Sequence, residues 1–233
     1  MTGPEEPMVE ERPVRITAGS VTLEGDLSLP DGAYATVVFA HGSGSSRHSP
    51  RNRYVAHLLN EAKLVTVLVD LMTYEEEAID RQTAHLRFDI SLLAGRLVGV
   101  TDWLMQYDDI SHLPIGYFGA STGAAAALVA AVERPEHVGA LVSRGGRPDL
   151  AGPALPFVQS PTLLIVGESD VYVVQLNQAA LAELRCEKRL VVVPGATHLF
   201  EETGALDEVA RHACEWFEQH LRPAAQELAR ASR

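Results

Sequence analysis

Residues 115–123, which read IGYFGASTG, decide the fold of this chain. A short apolar run ends at Phe118, and an alanine-rich run follows over residues 124–132. The pattern predicts a buried strand, a sharp turn with Ser121 at its apex, and a helix. Glycines two residues to either side of the serine leave room for such a turn. The turn would place the Ser121 hydroxyl at a helix N-terminus, where free N–H groups can receive negative charge.

Eight short segments rich in apolar residues are predicted as strands. They cover residues 14–17, 21–29, 36–40, 64–69, 115–118, 138–142, 162–166 and 189–193. The first two alternate with polar residues and predict an antiparallel hairpin at a sheet edge. Helical patterns over residues 50–63, 83–107, 122–134 and 174–185 lie between the later strands, and a final one over 205–221 follows the last strand. Residues 70–81 are predicted as an irregular acidic connection.

This alternation predicts an α/β fold with a mostly parallel eight-stranded sheet and helices on both faces. Right-handed crossovers then bring every strand-to-helix loop to the carboxyl edge of the sheet. Only residues 143–161 separate the sixth and seventh strands, which is too short for a sizeable cap domain.

Length and composition describe one globular domain. A chain of 233 residues with a hydrophobic fraction of 46% can bury one core, and we expect a single domain over residues 14–221. Residues 1–13 carry three prolines and are predicted to form a disordered N-terminal tail. Residues 222–233 are predicted to form a C-terminal tail.

The net charge of −12 argues against nucleic acid or an anionic membrane as the main partner, because phosphate binding needs a basic surface. Two cysteines give no disulfide framework, and the acidic N-terminus lacks the pattern of a secretory signal. No run of 18 apolar residues predicts a membrane span. These features predict a cytoplasmic protein, while the oligomeric state is left open.

A serine hydroxyl needs a base to become a nucleophile at neutral pH, and a histidine usually provides it. Of the nine histidines, only His41, His48 and His198 fall in loops at the predicted Ser121 edge. His198 is preferred because it follows the last strand directly in a short loop. His41 and His48 remain alternatives, with a structural hydrogen bond as the simpler interpretation of His41.

The histidine in turn needs a carboxylate to orient it. Asp170 lies just beyond a buried strand and is preferred. The chain after residue 166 must first extend away from the sheet before a side chain can reach the loop that follows the neighbouring strand. Glu168 is the main alternative, and Asp70, at the end of an earlier strand, is a weaker one.

The chain order Ser121, Asp170, His198 resembles that of the α/β-hydrolase superfamily. Four motifs, HGSG at 41–44, GASTG at 119–123, GESD at 167–170 and GATH at 195–198, are similar to those of its dienelactone hydrolase-like branch. The resemblance covers about residues 14–221. Dienelactone hydrolases carry a cysteine nucleophile, whereas this chain has Ser121.

The resemblance implies a serine hydrolase of small carboxylic esters, of esterase or lactonase type. It also implies an oxyanion hole formed by the backbone N–H groups of Ser43 and Thr122. No cofactor or metal is expected, since no phosphate-binding loop or metal-ligand spacing is present. The alternatives are a non-catalytic ligand-binding protein on the same scaffold, or a thioesterase or peptidase that uses the same residues.

Five arginines follow the third and sixth predicted strands and would rim the same edge: Arg47, Arg51, Arg53, Arg144 and Arg147. The simpler interpretation is that Arg51 and Arg53 are solvated and that Arg147 pairs with Asp149. The sharper hypothesis is that Arg144, closest to its strand end, binds a substrate carboxylate.

Overall fold

A computed structural model describes residues 9–222 of the chain. Eight strands form one sheet. They are β1 (Val9–Ala18), β2 (Val21–Pro30), β3 (Ala35–Ala40), β4 (Leu64–Val69), β5 (Ile115–Ala120), β6 (Val138–Arg144), β7 (Thr162–Gly167) and β8 (Lys188–Val193). Their order across the sheet is β1-β2-β4-β3-β5-β6-β7-β8.

Strands β3 to β8 run parallel, and the hairpin of β1 and β2 joins them antiparallel through β4. All residues of β3, β4, β5 and β7 are buried, because both faces of the sheet are covered there. The register places Ala40 opposite Gly119, and Ala120 opposite Arg144. The carboxyl ends of β3, β5 and β6 therefore lie level, which brings their following loops together.

Six α-helices accompany the sheet. They are α1 (Pro50–Glu61), α2 (Tyr74–Thr83), α3 (Ile90–Leu104), α4 (Thr122–Glu133), α5 (Val171–Glu183) and α6 (Ala205–Leu221). Helices α1 and α6 cover one face, in a core that includes Phe39, Phe118 and Trp216. Helices α3, α4 and α5 contribute to the core on the other face. The predicted parallel sheet with helices on both faces is confirmed.

The predicted N-terminal tail is wrong over residues 9–13. The first strand begins at Val9, and Pro13 lies opposite Asp26 of β2. An edge strand tolerates proline because one side of its backbone has no ladder partner, so the proline was a poor signal for disorder. The remaining tail predictions, for residues 1–8 and 223–233, lie outside the described residues.

The prediction of an irregular connection at 70–81 followed by one long helix is also wrong. Helix α2 begins with a capping box, in which Thr73 and Glu76 satisfy each other's backbone N–H groups. Ala84 then adopts a left-handed conformation that ends the helix, and the Asp89 side chain caps α3 through Leu92 N–H. The Thr-x-x-Glu pattern at 73–76 was the signal for this start.

The connection between β6 and β7 contains only 3-10 turns over Pro148–Phe157, broken at Gly152. No cap domain therefore covers this edge within the described residues, as predicted. None of the helices between residues 9 and 222 has both the length and the apolar character needed to cross a membrane.

Helix α3 packs closely on the β1–β2 hairpin at one of its two glycines and not at the other. A Cβ on Gly99 would lie 2.6 Å from the Cα of Ala18 at the end of β1, whereas a Cβ on exposed Gly95 would meet nothing within 4 Å. We expect Gly99→Ala to lower the free energy of unfolding by about 1–3 kcal/mol through overpacking. Gly95→Ala should raise it by up to ~1 kcal/mol, because alanine favours the helix.

Urea unfolding followed by circular dichroism measures both variants. An equal effect of the two substitutions would show that α3 does not depend on the close approach at Gly99.

Candidate active site

Ser121 occupies the one-residue turn between β5 and α4. Its backbone has φ of 51° and ψ of −121°, a conformation that a side-chain-bearing residue rarely adopts. The Ser121 N–H donates to the Arg144 carbonyl at 3.3 Å, and the Ser121 carbonyl accepts from the Arg147 N–H at 3.0 Å. The predicted sharp turn is present and is tied on both sides to the loop after β6.

The glycines of the motif are required by close packing. A Cβ on Gly119 would lie 2.7 Å from the backbone nitrogen of Ala124, and one on Gly123 would lie 2.6 Å from the carbonyl oxygen of His41. A Cβ on Gly42 would lie 2.9 Å from the Cβ of Ser121. The loop after β3 therefore packs directly against the serine.

His198 and Asp170 meet at the same edge. The His198 Nδ1–H donates to Asp170 Oδ2 at 2.6 Å, and the two side chains are 39% and 18% exposed. Because a carboxylate only accepts, this bond fixes the proton on Nδ1 and leaves Nε2 as a free acceptor. A Cβ on Gly145, directly after Arg144, would lie 3.6 Å from His198 Cε1, so the loop after β6 touches both the serine turn and the histidine.

Among the described residues, no hydrogen bond joins the Ser121 hydroxyl to His198. Hydrogen bonds between a nucleophile and its base are often long in ligand-free enzymes and shorten in the substrate complex.

The two alternative carboxylates have other partners. Glu168 accepts from the Gly195 N–H at 2.8 Å and so holds the loop that carries His198. Asp70 accepts from the Arg47 backbone N–H at 2.7 Å and also pairs with the Arg47 guanidinium. Among the described residues, neither carboxylate forms a hydrogen bond or an ion pair with His198.

The alternative histidines are also occupied elsewhere. His41 is buried, accepts at Nε2 from the Leu71 N–H at 3.2 Å, and donates from Nδ1 to the Gly42 carbonyl at 2.9 Å. His48 is exposed and faces Asp26 at 3.9 Å. The interpretation of His41 as a structural residue therefore fits its contacts.

The two predicted oxyanion donors lie side by side, but one of them is occupied. The Ser43 N–H donates to Thr122 Oγ1 at 2.9 Å. Thr122 is the first residue of α4, so its own N–H has no acceptor within the helix. The threonine hydroxyl at the start of α4 thus engages the Ser43 N–H of the loop after β3. The assignment of the Ser43 and Thr122 N–H groups to an oxyanion hole stays a prediction.

Four of the five arginines at this edge pair with carboxylates. Arg47 pairs with Asp70, Arg51 with Glu201 at 3.1 Å, Arg53 with Asp26 at 3.7 Å, and Arg147 with Asp149 at 2.7 Å. The predicted pairing of Arg147 with Asp149 is present, and Arg51 and Arg53 are engaged rather than only solvated.

Arg144 is different. It is 6% exposed, and its Nη2 donates to Asn52 Oδ1 at 3.1 Å while its Nε has no partner. The described residues place no carboxylate within ion-pair distance of it. Burial, together with the nearby positive charge of Arg51, lowers the pKa of Arg144 to about 10. Within residues 9–222 it is therefore a buried cation without a counter-ion, at the carboxyl edge of the sheet.

An open cavity of about 450 Å³ adjoins the loop after β3. It is lined by Gly44, Ser46, Arg51, Met72 and Arg87, among others. Within residues 9–222, no three His, Cys, Asp or Glu side chains converge on a point that could hold a metal ion.

The chain is similar to several known proteins. It is 61% identical to a solved structure of dienelactone hydrolase from Anabaena variabilis, with a TM-score of 0.90 over 92% of this chain and 99% of that chain. A structure from Xanthomonas campestris, described as an α/β serine hydrolase without a lid, is 23% identical. Its TM-score is 0.72 over 96% of this chain and 100% of that one, which supports the fold alone.

A protein of Mycobacterium tuberculosis (strain H37Rv) named "Putative phosphoribosyl transferase" is 56% identical over 216 residues, which is 93% of this chain and 48% of that protein. The chain therefore spans about half the length of the curated relatives that it matches. No family model matches it.

The match to the Anabaena structure extends over nearly the whole of both chains, and the predicted resemblance is confirmed. The chain belongs to the dienelactone hydrolase-like branch of the α/β-hydrolase superfamily.

Proposed function

We propose that this chain is a serine hydrolase that cleaves small carboxylic esters or lactones through an acyl-enzyme. The observation that carries the proposal is the bond between His198 and Asp170 at the edge where Ser121 projects from its strained turn. Membership of a hydrolase family supports the reaction class.

In the proposed mechanism, Ser121 Oγ attacks the ester carbonyl carbon while its proton passes to His198 Nε2. The C=O π electrons move to the oxygen, and the positive end of α4 stabilises that charge. When the tetrahedral intermediate collapses, the alkoxide leaves with the proton from His198. Water then repeats the sequence on the acyl-enzyme and releases the acid.

Asp170 has a positioning role in this scheme. Its bond to Nδ1 keeps the basic nitrogen, Nε2, free for the serine proton and stabilises the imidazolium that forms.

We further propose that Arg144 binds a carboxylate on the substrate. A buried guanidinium without a counter-ion is costly, and a bound anion would offset that cost. The unpartnered Nε and the depressed pKa of Arg144 both support an anionic ligand. Arg51 lies close enough to lower the pKa of Arg144, although its own guanidinium pairs with Glu201.

Two other functions have weaker support. A non-catalytic binding protein has no need of the strain at Ser121, while thioester or peptide cleavage would use the same residues. Phosphoribosyl transfer is not proposed, because the Mycobacterium protein with that name is about twice as long and the geometry here supports acyl transfer.

We propose a cytoplasmic location. It is supported by Cys186 and Cys214, which are free thiols, as expected in a reducing compartment. The absence of nucleic-acid and membrane partners stays a prediction.

Labelling with a fluorophosphonate probe tests the proposed function. We expect stoichiometric labelling of the wild type at Ser121 and none of Ser121→Ala. His198→Ala should lose ester turnover by roughly 10⁴-fold or more, because serine and base act as a unit. Ser45→Ala, a serine in a loop of the same edge, is the control and should behave as wild type. An unlabelled wild type would favour the binding-protein alternative.

The choice of acid is tested by comparing Asp170→Asn with Glu168→Gln. Asp170→Asn should lower kcat by up to ~10⁴-fold, because the amide permits the wrong histidine tautomer. Glu168→Gln keeps an acceptor for the Gly195 N–H and should change kcat little. A larger loss in Glu168→Gln, measured by steady-state kinetics, would reverse the assignment.

The role of Arg144 is tested with an anionic ester and its neutral methyl-capped analogue. Arg144→Gln should raise KM for the anionic ester about 10- to 150-fold, the equivalent of roughly 1.5–3 kcal/mol for a charge-assisted hydrogen bond. The neutral ester should be unaffected. Arg147→Gln, whose guanidinium already pairs with Asp149, is the matched control. Equal effects of Arg144→Gln on both esters would make Arg144 a purely structural residue.

A further inference from the structure

The side chain of Thr122 lies where the resemblance places only backbone donors. Thr122 follows the nucleophile, is 2% exposed, and accepts the Ser43 N–H at Oγ1. Within residues 9–222, this is the hydroxyl's only hydrogen bond. A threonine hydroxyl that accepts one bond still has a proton to donate.

The Ser43 N–H is firmly held in this orientation. It belongs to the peptide group whose carbonyl, that of Gly42, accepts from His41 Nδ1 at 2.9 Å and from the Ser45 N–H at 3.1 Å. Three hydrogen bonds therefore fix one peptide plane, and turning its N–H toward a substrate would disturb all of them. His41 is itself fixed by its bond to Leu71.

The same peptide lies against the nucleophile, since the Gly42 backbone leaves no room for a Cβ beside Ser121. The hydroxyl that it holds is on the residue directly after Ser121. The residue directly after the serine, Thr122, thus carries two donors that have no acceptor within residues 9–222: its helix-terminal N–H and its hydroxyl proton.

We propose that Thr122 is a catalytic residue that stabilises the oxyanion through both its N–H and its hydroxyl. The Ser43 N–H donates to one lone pair of the hydroxyl oxygen and so positions the hydroxyl. It makes no bond to the oxyanion itself. As the Ser121 Oγ–C bond forms, both Thr122 donors bind the developing O⁻ without transferring a proton. They release it when the C=O bond re-forms and the leaving group departs. This inference rests on the proposed function.

The test compares Thr122→Val, which keeps the shape but lacks the hydroxyl, with Thr122→Ser, which keeps the hydroxyl. We expect Thr122→Val to lower kcat on a neutral ester about 10²- to 10³-fold with little change in KM, as for the loss of one oxyanion donor. Thr122→Ser should stay close to wild type. The inhibition constant of a trifluoromethyl ketone, whose adduct with Ser121 carries an oxyanion, should weaken in parallel with kcat/KM.

Two results would overturn the inference. A Thr122→Val enzyme as fast as wild type or faster would mean that the hydroxyl only blocks the Ser43 N–H. A Thr122→Ser enzyme as slow as Thr122→Val would mean that the methyl group matters, through packing. If Thr122→Val does not fold, as judged by thermal melting, Thr122→Ala replaces it with the same expected loss.

Fluorophosphonate labelling of the wild type separates this inference from the proposed function. A wild-type protein that is not labelled at Ser121 would contradict both the proposed function and the inference about Thr122. A labelled wild type with unimpaired Thr122→Val defeats the threonine inference alone.

Discussion

The structure depends on the close contact between the start of α4 and the end of β3. Gly123 lies so near the carbonyl oxygens of Ala40 and His41 that no side chain fits between them. The helix can therefore begin directly after Ser121, underneath the loop after β3. The left-handed backbone of Ser121 costs on the order of 1–3 kcal/mol, and its bonds to Arg144 and Arg147 help to offset that cost.

Much of the fold was predictable because buried parallel strands are continuous apolar runs and amphipathic helices repeat every turn. Helix α6 begins and ends where its pattern predicts, at Ala205 and Leu221. The errors arose where a local signal was outweighed or overlooked. Pro13 suggested disorder but lies in an edge strand, and the capping box at Thr73 was hidden within an acidic stretch.

The sequence predicted which loops come together at the candidate site, but not which atoms of those loops contact each other. Strand order placed Ser121, Asp170 and His198 at one edge, yet sequence spacing cannot show which carboxylate reaches the imidazole. In the structure Asp170 bonds to His198 while Glu168 bonds to the Gly195 N–H, and both are contacts between separate loops. The orientation of the Gly42–Ser43 peptide likewise depends on residues far apart in the chain. So does the lack of a counter-ion for Arg144 among the residues that the structure describes.

The two edge strands of the sheet, β1 and β8, affect the tendency of the molecule to aggregate at high protein concentration. An unpaired strand edge is a template for a strand of another molecule. Here β1 carries charged residues at Glu10, Glu11 and Arg12 followed by Pro13, and β8 begins with Lys188 and Arg189. Both ends of the sheet thus bear features that disfavour intermolecular strand addition, which protects a sheet with a long, nearly all-apolar interior from growing into an aggregate.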